Sequence, residues 1–96
     1  MAVALVLDFE GATLDKYDQV CQKMGLTPGG SGPPGSLSHW VIETDGGIRV
    51  TDVWQDRETF DRFAEEQIRP FTAEVGFAGP PQVSIFEVHN YFTPGA

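Results

Sequence analysis

A histidine, an aspartate and a tryptophan crowd the stretch SHWVIETDGGIRVTDVW, Ser38 to Trp54. His39 and Asp52 are the residue types of an acid–base pair, in which a carboxylate orients an imidazole that moves a proton. Trp54 would supply a flat apolar wall for an aromatic ligand, with Val41 and Val50 beside it. The plainer alternative is a half-buried histidine that hydrogen-bonds Asp52 and does nothing else.

Hairpin geometry decides whether these side chains meet. Two alternating apolar runs, Leu37 to Thr44 and Gly47 to Gln55, flank Asp45-Gly46-Gly47, a strong hairpin signal. Strand residues alternate between faces, and residues opposite one another in a hairpin point the same way. With Gly46-Gly47 as the two-residue loop, His39 lies opposite Trp54; with Asp45-Gly46, it lies opposite Asp52. Either register puts Leu37, His39, Val41, Val50, Asp52 and Trp54 on one face. Ser38, Trp40, Ile42, Thr51 and Val53 take the other.

A last strand, Gln82 to Phe92, contributes His89, Asn90 and Tyr91. Asn90 and Tyr91 join the candidate substrate-binding residues. Other chemistry is not signalled. The two histidines fall on opposite edges of the expected sheet, roughly 14 Å apart, so one chain cannot use both for a metal, and no metal site is expected. There is no nucleophile elbow with a Ser-His-Asp order and no phosphate-cradling glycine loop. Cys21 sits on the apolar side of a predicted helix and reads as a structural thiol.

The elements that hold these residues follow from periodicity. Val3 to Phe9 is a short Val- and Leu-rich run, a buried strand. Leu14, Tyr17, Val20 or Cys21, and Met24 repeat at helical spacing, with Thr13 as N-cap and Gly25 as C-cap. Thr27 to Ser36, TPGGSGPPGS, cannot form a regular element and is either a mobile flap over the site or a plain connector. Asp56 caps a second helix whose stripe is Phe60, Phe63, Ala64 and Ile68, and Pro70 predicts a kink or break. The order strand, helix, strand, strand, helix, strand predicts an α+β fold, the ferredoxin-like βαββαβ arrangement with a four-stranded antiparallel sheet ordered 4-1-3-2. Its uncovered face invites a second copy of the chain.

The totals agree with a single domain over residues 1–96, since 96 residues is small for one hydrophobic core. Fourteen acids against six bases give a net charge of −8, which opposes binding to nucleic acid or to an anionic membrane. One cysteine excludes an internal disulfide and fits a reducing compartment. The N-terminal apolar run lacks a basic region and is too short to span a bilayer, so the expected location is cytoplasmic.

The segment GGIRVTDVWQDRETFDRF, Gly46 to Phe63, carries a strand ending in Trp, a short polar break and an acidic helix start with two aromatics three residues apart. In this, and in its order of elements, the chain resembles the antibiotic-biosynthesis-monooxygenase-like domains of the dimeric α+β barrel superfamily. The resemblance implies a homodimer whose sheets pack into a barrel, with a pocket between sheet and helices in each subunit. It implies cofactor-free oxygenation of an aromatic or polyketide-like molecule. The alternatives are a cyclase or isomerase with a histidine base, and a non-catalytic dimer that binds a small hydrophobic ligand. Trp54 matches the family's strand-end tryptophan. The heme-degrading branch has a histidine near the end of the second helix, where Ile68-Arg69-Pro70-Phe71 has none.

Overall fold

The computed structural model describes residues 1–92 and 95. Strands β1 (Val3–Glu10), β2 (Ser36–Thr44), β3 (Gly47–Trp54) and β4 (Gln82–Glu87) form one sheet ordered β2-β3-β1-β4, antiparallel throughout. Helix α1 (Leu14–Met24) follows β1. Between β3 and β4 the chain runs through α2 (Arg57–Phe63), a π-helical stretch (Ala64–Ile68) and α3 (Arg69–Val75). This is the expected ferredoxin-like βαββαβ arrangement.

The core lies between the sheet and the helices. β1 alternates: Val3, Leu5, Leu7 and Phe9 are buried, and their neighbours face the opposite side of the sheet. β3 matches it with Ile48, Val50, Asp52 and Trp54. Burying aliphatic side chains such as Leu5 and Leu7 stabilises the fold by about 1.5–3 kcal/mol each. Val20 from α1 and Phe60 from α2 close the core from above.

Both helices start where side chains can cap them. The Thr13 hydroxyl accepts from the Lys16 N–H at 3.2 Å, and the Asp56 carboxylate accepts from the Thr59 N–H at 2.7 Å. That bond also holds the Asp56 carboxyl below its ordinary range. Gly25, with φ of 78°, ends α1 in the left-handed conformation. The kink expected at Pro70 takes the form of a widened turn. Proline has no N–H for the carbonyl of Glu66, and its ring crowds that carbonyl. The ladder loosens one turn earlier, where the Arg69 N–H reaches back five residues to the Ala64 carbonyl. Lys23 pairs with Glu74 at 2.7 Å and ties α1 to α3.

One expectation needs correction. β4 ends at Glu87, short of the Phe92 expected from the sequence. It pairs with β1, whose Val3 meets Glu87, and one further contact joins the Val88 N–H to the Ala2 carbonyl. In the hairpin turn neither Asp45 nor Gly46 has positive φ. Glycine is needed one residue on: a Cβ at Gly47 would stand 2.0 Å from the Phe9 carbonyl oxygen.

Among the described residues no helix covers the sheet's second face. Trp40 and Phe86 lie there, 50% and 60% exposed, with Ile42 and the smaller Ala4, Val6 and Val53 between and beside them. Among the described residues no helix is long and apolar enough to cross a membrane.

Candidate active site

The hairpin takes the Asp45-Gly46 register, so His39 pairs with Asp52 and Val41 with Val50. A bulge at Leu37 then brings Ser36 opposite Trp54. The shared face is the one toward the helices. There Asp52, 4% exposed, is the buried charged residue of the core, and both its oxygens are engaged. Oδ1 meets His39 Nδ1 at 2.5 Å, and Oδ2 accepts from the Trp54 indole N–H at 3.2 Å. A buried carboxylate with such partners is held in one orientation, and it orients the imidazole in turn.

The far side of the imidazole is also occupied. The Tyr17 hydroxyl lies 2.5 Å from His39 Nε2. A carboxylate at Nδ1 places the ring proton there, so Nε2 accepts from the Tyr17 hydroxyl. The phenol and imidazole planes are nearly parallel, 13° apart. The result is a continuous chain of Tyr17, His39, Asp52 and Trp54, contributed by α1, β2 and β3. Burial is the main cause that pushes the Tyr17 phenol above its ordinary range; the neighbouring Cys21 and the carboxylates of Asp52 and Asp18 add to it. Burial likewise raises the Cys21 thiol, partly offset by its hydrogen bond with Tyr17.

This chain forms part of the wall of a cavity of about 730 Å³ between the sheet, the helices and the Gly/Pro-rich loop. Such a volume suits a drug-sized ligand. Leu7, Phe9, Val41, Val50, Phe63 and Phe77 make much of the apolar lining. The loop borders the cavity from Thr27 to Pro33, then is pinned: the Gln55 N–H donates to the Gly35 carbonyl at 2.9 Å.

The structure therefore brings together five of the expected site residues: His39, Asp52, Trp54, Val41 and Val50. Trp54 borders the cavity but is only 1% exposed, packed on Phe60 and Phe63, so its indole chiefly braces Asp52. Asn90 and Tyr91 lie past the end of β4, exposed and away from the cavity lining, as does His89. Tyr17 was absent from the expected set. Its one signal is that it is the hydroxyl-bearing member of the apolar stripe on α1. Among the described residues no group of three or more His, Cys, Asp or Glu is placed to hold a metal.

No described protein family matches the chain in sequence. No curated protein matches it either. Solved structures do match in fold. A Chloroflexus aurantiacus J-10-fl protein provisionally assigned as an antibiotic biosynthesis monooxygenase superposes with a TM-score of 0.63 at 19% identity, covering 98% of this chain and all of the other. The monooxygenase from the ActVA-Orf6 gene of Streptomyces coelicolor, solved with nanaomycin D, gives 0.55 at 22% identity over 98% of this chain and 92% of its own. SnoaB, a cofactor-independent oxygenase from Streptomyces nogalater, gives 0.57 at 15% identity over 94% and 93%. The chain thus has the fold of the antibiotic biosynthesis monooxygenase-like proteins.

Proposed function

We propose that the protein is a small-molecule enzyme that removes a proton from an aromatic or polyketide-like substrate and lets the resulting carbanion react with oxygen. The observation that carries this is the His39 ring, fixed between Asp52 and Tyr17 at the wall of a ligand-sized cavity. No Lys or Arg lines that cavity among the described residues, which favours a ligand without a fixed negative charge. The fold shared with a monooxygenase that binds nanaomycin D and with a cofactor-independent oxygenase supports the same chemistry. The active unit in this proposal is a homodimer joined through the open face of the sheet.

For a tricyclic anthrone the reaction balances without a cofactor. Loss of a proton from the central CH2 leaves its electron pair delocalised over the rings. Oxygen adds at that carbon to give a hydroperoxide, which loses water and leaves a ketone. One atom of O2 enters the product and the other leaves as water.

The test uses dithranol, a hydroxyanthrone, as substrate. The wild type should consume oxygen stoichiometrically with quinone formation. His39→Ala should lower kcat at least about a hundredfold while the fold persists, the effect typical of removing a positioned general base. Conversion without oxygen uptake would favour a cyclase or isomerase using the same base. Absence of both binding and turnover would leave a non-catalytic role for the cavity.

A further inference from the structure

Both nitrogens of His39 are engaged by the protein itself, Nδ1 with Asp52 and Nε2 with Tyr17. A ligand in the cavity therefore meets no free nitrogen on the base. It meets Tyr17, which lines the same cavity beside His39. The phenol is not a loosely held plug. Tyr17 belongs to α1, and its ring packs against the core from a half-buried position.

From this geometry, and on the proposed function above, we infer that Tyr17 is a catalytic residue that relays the substrate's proton to His39. The substrate X–H bond breaks and leaves its electron pair on the substrate, while a new O–H bond forms at Tyr17 Oη. The original Tyr17 O–H bond breaks in the same event, and its proton forms an N–H bond at His39 Nε2. Tyr17 ends neutral, the imidazolium faces the Asp52 carboxylate, and no group leaves. The environment suits this role, since a phenol held above its ordinary range stays protonated between turnovers.

The relay differs from a placeholder, in which the substrate pushes Tyr17 aside, and from a bond that only braces α1. Anaerobic stopped-flow mixing with dithranol separates the three by following the absorbance of the substrate anion before oxygen can react. Tyr17→Phe removes one oxygen and keeps the ring, and circular dichroism checks its fold. With a relay, this variant binds dithranol but forms the anion at least about a hundredfold more slowly than wild type. Anion formation at the wild-type rate overturns the relay, and faster formation with tighter binding overturns it in favour of the placeholder.

A proton inventory on the wild type in mixed H2O and D2O provides a test that needs no variant. With the substrate C–H bond unexchanged, the relay moves one solvent-derived proton, that of Tyr17, so anion formation slows in D2O along a straight line, whereas a rate independent of deuterium fraction leaves no relay. Failure of the underlying function looks different: wild type itself then forms no anion, which rejects the relay along with it.

Discussion

At the scale of single residues, Asp52 organises the site. It is the acid buried within the core, and it is tolerable there because His39 and the Trp54 indole take its two oxygens. Tyr17 completes the chain and offers a direct physical check. The protein has two tyrosines, so in a Tyr91→Phe variant all phenolate absorbance comes from Tyr17. At about pH 10 an unperturbed phenol is half ionised. In this variant the folded protein should show almost no phenolate there, and the band should emerge only at higher pH. Because the folded phenol is raised above its unfolded value, its contribution to stability is complete below the ordinary range and is lost as pH rises toward the raised one. Ionisation of Tyr17 at the ordinary midpoint, with the fold intact, would show it to be solvated and detached from His39. The pair His39 and Asp52 was legible in the sequence, since strand alternation places them together in either hairpin register. Tyr17 was not, because the contact joins α1 to the far edge strand, and no local period encodes a distance across the fold.

At the scale of elements, the hairpin carries the site and its tip is clamped to β1. The Gly11 N–H donates to the Gly46 carbonyl at 2.7 Å, and Gly47 approaches the Phe9 carbonyl too closely for any side chain. Gly47→Ala should therefore destabilise the protein by about 1–3 kcal/mol, the usual result of forcing atoms into a filled space. Gly46→Ala meets nothing within 4 Å and should change stability by less than about 0.5 kcal/mol. Urea unfolding of the two variants makes the comparison, and equal midpoints would place the clamp elsewhere. Caps and periodicity announced α1 from Thr13 to Gly25 and the start of α2 at Asp56 without help from tertiary structure. The end of β4 was hidden for the opposite reason. Past Glu87 one further contact joins the Val88 N–H to the Ala2 carbonyl, and where the pairing stops is set by the neighbouring strand and not by the residues of β4 alone. Asn90 and Tyr91 were assigned to the site as residues of that last strand, and they lie past its end and outside the cavity lining.

At the scale of the whole molecule, the charge and the open sheet face pull in opposite directions. Each copy carries −8, so two copies repel at long range. The open face itself is nearly balanced. Arg49 pairs with Asp8 there at 2.8 Å, and the rest is largely Trp40, Ile42, Val6, Val53 and Phe86. Contiguous apolar surface of this kind commonly marks a protein interface, and self-association would bury it. The proposed dimer thus combines a short-range apolar attraction with a long-range repulsion that salt screens over about 8–10 Å at ordinary ionic strength. Sedimentation equilibrium should find a dimer that tightens between low and moderate salt. Trp40→Glu sets a charge on each side of the interface while leaving the helix-facing cavity wall of His39 and Asp52 in place. It should give a folded monomer with an unchanged circular dichroism spectrum. A wild type that remains monomeric at every salt concentration would reject the dimer, and the exposed tryptophan would then need another partner.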